Sequence, residues 1–199
     1  DRSRGLGDVY KRQIVLNILN ELMKAQEPDY KLYDAVADGL EKADGIVRAA
    51  VKSVKNRTWL FAEKYAKEPF LYIMGSGAAY AAAYGFAICS LQEMQWMDCC
   101  YLDSAEYFHG PFEVTDFDVP FVLVKGIGAT RELDERAYNF CSKFSQKLAV
   151  IDEAEFDLTG IEPGVQEYVA PLLAGTVVRE MIDLSLIHIS EPTRPISIS

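Results

Sequence analysis

Phe70-Leu71-Tyr72-Ile73-Met74-Gly75-Ser76-Gly77 decides how this chain of 199 residues is read. Five consecutive apolar residues with no polar alternation describe a strand covered on both faces. Gly75-Ser76-Gly77 then turns the chain into an apolar run that reaches about Met97 and reads as a buried helix. The pattern recurs downstream. Tyr101-Leu102 is a second strand candidate, and 119–124 and 147–151 are further continuous apolar strands. Between those two lies a helix with Leu133, Ala137, Phe140, Cys141 and Phe144 on one face, and a last helix over about 166–183 carries Val169, Leu172, Leu173, Val177 and Ile182. Strands alternating with helices predict an α/β fold, a three-layer doubly wound parallel sheet whose ligands sit outside the carboxyl ends of the strands.

Upstream of that unit there is no strand. Residues 14–24 form a dense apolar helix pattern that ends before Gln26-Glu27-Pro28, and they read as the last helix of another domain. Tyr33, Val36, Ala37, Leu40, Ala43, Val47, Ala50, Val51 and Val54 recur at helical spacing, and a second helix is expected over 57–67. Each has one strongly charged face, so both are expected to be long connector helices between domains.

The two ends of the chain read differently. Asp8-Val9-Tyr10-Lys11-Arg12-Gln13 can be encoded as GAT GTG TAT AAG AGA CAG, whose reverse complement, CTG TCT CTT ATA CAC ATC, encodes Leu184-Ser185-Leu186-Ile187-His188-Ile189. Opposite strands of one element therefore flank the chain, as a transposase adapter from a sequencing library would. Segments 1–13 and 184–199 are set aside as foreign. The expected organisation is then a last helix of a missing domain over 14–27, connector helices over 28–68 and a sheet domain over 69–183. His188 goes with the adapter, which leaves His109 as the one native histidine.

Charge limits the partners. Twenty basic and 30 acidic residues give a net charge of −10, and without the terminal segments the balance of 15 against 27 gives −12. This argues against nucleic acid and against an anionic membrane surface. The uncharged stretch 69–92 is interrupted by Pro69 and Gly75-Ser76-Gly77, so it is not read as a membrane span. Cys89, Cys99, Cys100 and Cys141 lack paired metal-ligand spacing and disulfide density, which fits reduced thiols in a cytoplasmic protein.

His109, in Glu106-Tyr107-Phe108-His109-Gly110-Pro111, and Glu93, in Glu93-Met94-Gln95-Trp96, are the candidates for proton transfer, because imidazole and carboxylate are readily tuned towards neutral pH. The plain alternatives are a hydrogen-bonded histidine beside a Gly-Pro turn and a solvated carboxylate at the polar end of an apolar helix. The apolar helix before Glu93, with Met94 and Trp96, is expected to desolvate it. Gly75-Ser76-Gly77 could offer backbone amides and the Ser76 hydroxyl to an anion, or serve packing. Glu106 could orient a loop or contact substrate, or simply favour a helix start; Glu113 reads as a surface charge. Arg131 could face an anion or merely begin its helix.

The order Gly75-Ser76-Gly77, Glu93-Met94-Gln95-Trp96, Ala105-Glu106-Tyr107-Phe108-His109-Gly110-Pro111 resembles the second sugar isomerase (SIS) domain of phosphosugar isomerases. Within that superfamily residues 30–183 look most like the fructosamine-6-phosphate deglycases. The resemblance implies a flavodoxin-like sheet, Glu93 as the carbon acid/base, and His109 as the ring-opening acid/base. It also implies Ser76, Gly77, Glu106 and Arg131 as substrate contacts, a phosphorylated sugar amine as substrate, and no metal or organic cofactor. In relatives the histidine can reach a neighbouring subunit's site, so a homodimer or larger homo-oligomer is expected. The phosphate-binding loops of a first SIS domain are absent, so this polypeptide alone is expected to be inactive and to expose apolar surface around 14–23. Two other readings remain open: the isomerase half of a glutamine:fructose-6-phosphate aminotransferase, where lysine commonly precedes the histidine and Phe108 stands here, and a non-catalytic sugar-phosphate sensor.

Overall fold

The computed structural model describes residues 4–188. Four parallel strands form one sheet: β1 (Phe70–Gly75), β2 (Asp98–Asp103), β3 (Phe121–Lys125) and β4 (Leu148–Asp152), in the order β2-β1-β3-β4. All four begin or end within a few residues of the apolar runs that announce them. The order is that of a flavodoxin-like doubly wound sheet, as expected.

Alternation along the strands separates two cores. Leu71, Ile73, Val122 and Val124 face one cluster, and Met74, Phe121 and Leu123 face the other. Each such fully buried side chain contributes about 1.5–3 kcal/mol relative to exposure. Cys99 and Cys100, adjacent on β2, pack on opposite faces in the same way, and the four cysteines are free thiols.

The first face is covered by α2 (Tyr33–Tyr65), α3 (Gly77–Gly85) and α6 (Gln166–His188). Where two connector helices were expected, α2 is a single helix of 33 residues. Its stripe Val36, Leu40, Ala43, Val47, Ala50 and Val54 is buried along α6, so α2 is a layer of this fold. The predicted break near Arg57 came from the loss of apolar spacing. There the helix is held by tertiary contacts, since Arg57 pairs with Glu155 and donates to the Val150 carbonyl at 3.1 Å. Lys42–Asp38 and Arg48–Asp44 pairs, one turn apart, decorate its outer face.

The other face is covered by α5 (Arg131–Phe144) and by two short 3₁₀ turns, 106–109 and 111–114. On α5 the buried positions are Asp134, Ala137 and Cys141, while Leu133 and Phe140 are half-buried and Phe144 is exposed. The buried stripe therefore includes a carboxylate, Asp134, as deep as Ala137 and Cys141, and the apolar face stops short of Phe144 at the helix end.

Helix α1 (Arg4–Gln26) runs unbroken through residue 13 and leans on α2 and α6. Its outward side presents Ile14, Val15, Ile18, Leu19, Leu22 and Met23, each at least 43 % exposed. This is the apolar surface the sequence leads one to expect around 14–23. Among the described residues no helix is long and apolar enough to cross a membrane.

Candidate active site

Glu93 and His109 lie on either side of β2. Glu93 opens α4 (Glu93–Gln95), a last helical turn on the approach to the amino end of the strand, and His109 closes the first 3₁₀ turn beyond its carboxyl end. Six strand residues at about 3.3 Å each put roughly 17 Å of sheet between those ends. Both side chains are exposed. Within one chain, then, the two candidates are held apart.

Local geometry distinguishes both positions from ordinary surface. Between α3 and α4 the helix widens into a π-helical stretch, Phe86–Gln92, where a plain buried helix was expected. Such stretches are frequent at functional sites because they turn the following side chains out of phase. Trp96, which ends α4, is the sole non-glycine residue with positive φ among the described residues, at φ 53° and ψ 34°. An aromatic residue is held there only against a steric cost. The desolvation expected for Glu93 is not supplied by these neighbours, since Trp96 is 46 % exposed and Met94 half-buried.

His109 rides on a loop with a firm interior. Tyr107 is fully buried, its hydroxyl bonded to Thr115 and accepting from the Cys141 thiol at 3.3 Å. Burial pushes the Tyr107 phenol upward, and it pushes the Cys141 thiol up to about 11. Gly110, at φ 142°, turns the chain into Pro111. Glu106 and Glu113 on the same loop are exposed.

Three of the expected substrate contacts, Ser76, Gly77 and Arg131, also have structural partners within the chain. The Ser76 side chain is buried and donates to the Thr130 carbonyl at 3.1 Å. Gly77 has φ 53°, and a Cβ there would come within 2.4 Å of the Thr130 hydroxyl, so the glycine turn serves a close approach of two loops. Arg131 gives both terminal nitrogens to Asp152, at 2.8 and 2.9 Å, and also bonds the Gly126 carbonyl. It begins α5 and ties that helix to the end of β4.

The carboxyl edge of β3 and β4 also holds buried ionisable groups that sequence reading missed. Lys125 bridges Glu135 and Asp152, each at 2.9 Å. Burial alone would raise the Asp152 carboxyl, but hydrogen bonds from Arg131 and Lys125 outweigh it and hold the group well below the usual range. Asp134 accepts from the Ser104 hydroxyl at 2.6 Å and the Gly126 amide at 3.0 Å, and burial raises it. Glu153, 1 % exposed, accepts from the Ile127 amide at 3.3 Å and leaves its other oxygen without a partner. Burial lifts it to about 7, against the Ile127 bond and with the help of Asp134 and Asp152. Asp134 could have been found as the one acid on the buried 134–137–141 stripe. Among the described residues no three His, Cys, Asp or Glu side chains are grouped as metal ligands would be.

Relatives carry the comparison further. No family model matches the chain. Among curated proteins, fructosamine deglycase FrlB of Bacillus subtilis is 40 % identical over 171 residues, which are 86 % of this chain and 51 % of that protein. A solved Bacillus subtilis structure assigned as a phosphosugar isomerase superposes with a TM-score of 0.87 at 35 % identity, over 90 % of this chain and 54 % of the other. Over most of its length the chain is therefore similar to a named fructosamine deglycase, and it shares the fold of structures assigned as phosphosugar isomerases. Fructoselysine 6-phosphate deglycase of Escherichia coli is 32 % identical over 122 residues, 59 % of this chain and 34 % of that protein. The chain thus spans about half the length of the FrlB relative it matches, and a smaller share of the fructoselysine enzyme. The C-terminal domain of glucosamine-fructose-6-phosphate aminotransferase from Francisella tularensis, at 15 % identity and a TM-score of 0.55, shares the fold.

Proposed function

We propose that this chain is the second half of a fructosamine-6-phosphate deglycase, which hydrolyses a phosphorylated sugar amine to glucose 6-phosphate and a free amine. Identity of 40 % to a named deglycase over most of the chain supports this over the aminotransferase reading, which has only fold-level likeness behind it. In this proposal residues 69–183 are a second SIS domain, 14–27 end a first one, and 1–13 and 184–199 are foreign. The outward apolar side of α1 is the face on which the first half sits. The enzyme is cytoplasmic.

Glu93 takes and returns the proton on carbon during formation and collapse of an enaminol, and His109 moves the proton that opens the sugar ring. The observation behind the shared-site part of the proposal is their separation by the length of β2. A carboxylate and an imidazole so far apart in one chain cannot act on one open-chain sugar, whereas two copies related by symmetry bring Glu93 of one to His109 of the other. The neighbouring copy and the first half also provide the enclosure that an exposed Glu93 lacks. Joining residues 14–183 to the first half of the Bacillus subtilis enzyme gives a chimera on which fructosamine 6-phosphates can be assayed. Glu93→Gln and His109→Ala should each abolish its turnover, and unchanged turnover in either would refute the assignment.

A further inference from the structure

Phe108, immediately before His109, is gripped from α5. The Arg136 guanidinium carbon lies 3.9 Å from its ring centroid, and Phe140, one turn further along α5, meets the same ring edge-on with centroids 5.9 Å apart. Tyr107 on one side (5.0 Å) and Phe112 on the other (6.2 Å) complete the contacts. Arg136 is exposed, and among the described residues no carboxylate is paired with it. A surface arginine set over a ring rather than extended to solvent restricts the movement of both partners.

α5 is itself a rigid support. Arg131 fastens its first turn to Asp152, Asp134 fastens it to the Gly126 amide, and Ala137 and Cys141 are fully buried against the sheet. We propose that Arg136 and Phe140 clamp Phe108 so as to fix the direction in which His109 projects, which makes Arg136 a positioning residue for the site. The proposal rests on the reading of His109 as the ring-opening group. His109 itself is exposed, and a group that must meet a substrate held by another subunit needs its direction set before the two come together.

The test uses the chain as it stands, labelled at histidine, with Arg136→Ala, Arg136→Lys, Phe108→Leu and the Arg136→Ala/Phe108→Leu double variant. An exposed cation–aromatic contact should slow local opening by roughly two- to fivefold. Arg136→Ala should therefore speed exchange of the Phe108 amide, which bonds the Ala105 carbonyl at 3.3 Å, by that factor, and should shift or broaden the His109 imidazole signal. Amides of α2 should be unaffected. Arg136→Lys, which keeps the charge but loses the planar guanidinium, should fall between wild type and Ala. In the Phe108→Leu background the Arg136→Ala change should have no further effect, because its partner ring is gone. Unchanged exchange and an unchanged imidazole signal in Arg136→Ala, or equal effects in both backgrounds, would overturn the clamp. Undiminished turnover of the His109→Ala chimera would instead overturn the role of the histidine and leave the clamp standing.

Discussion

Glu153→Gln should make the chain more stable above neutral pH and less responsive to pH. Glu153 is 1 % exposed, keeps one bond from the Ile127 amide and has an unpartnered second oxygen. Burial lifts its carboxyl from 4.5 in the unfolded chain to about 7 in the fold. Between those values the unfolded chain has released the proton and the folded chain retains it, so stability falls as pH rises, by about 1.4 kcal/mol per unit from this group. The whole loss is about 3 kcal/mol, complete once pH exceeds the folded value and absent below 4.5. Glutamine has the same shape, keeps a carbonyl for the Ile127 amide and carries no charge. Its buried amide group brings donors that need acceptors, which offsets part of the gain, so the expected net gain at pH 8 is roughly 1–3 kcal/mol. At pH 5, where Glu153 is already neutral, the variant should be no more stable than wild type. Urea unfolding at pH 5, 6, 7 and 8 measures both. Asp134, also raised by burial, leaves a residual slope of the same sign in the variant. An identical pH slope in the two proteins would refute the reasoning.

Two further changes probe the carboxyl edge of the sheet. Asp152→Asn leaves buried Lys125 with Glu135 alone and unties Arg131 from β4, and should cost about 3–5 kcal/mol in urea unfolding near neutral pH. Because the Asp152 carboxyl is held low in the fold, that difference should shrink as pH falls below about 3.8 through the folded value. Gly77→Ala forces a side chain into a left-handed backbone and against Thr130, and should cost about 2 kcal/mol, read as a lower midpoint in thermal unfolding.

The sheet was legible in the sequence because its central strands, β1 and β3, are largely buried on both faces and are written as uninterrupted apolar runs, whereas the edge strand β2, bounded by Asp98 and Asp103, gave only Tyr101-Leu102. The helices were less so. Residues 55–57 break the apolar spacing of α2, and the contacts that carry the helix past them come from Glu155 and Val150, about a hundred positions away. The π-helical widening before Glu93 has no composition of its own, since Phe86–Gln92 reads as any apolar helix would. At the site, the identities of Glu93 and His109 could be read from spacing and resemblance, but not their opposite positions relative to β2, which follow from the helix running back along the sheet. Ser76, Gly77 and Arg131 each carry two readings in sequence, an anion contact or a structural role, because glycine turns and cations at strand ends serve both. Here each is taken up by a partner inside the chain: the Thr130 carbonyl, the Thr130 side chain and Asp152. Glu153 and Lys125 gave no sign, since a charge that becomes buried by tertiary packing looks like any other charge in sequence.

Mixing two inactive chimeras tests the shared site most directly. One carries Glu93→Gln and the other His109→Ala, and the two are dissociated together and allowed to reassemble. If each site takes Glu93 from one subunit and His109 from the other, a mixed dimer holds one intact site. Random pairing should then restore about a quarter of the unmutated chimera's activity. A mixture that stays as inactive as its components, although mixed dimers form, would contradict a site divided between two chains.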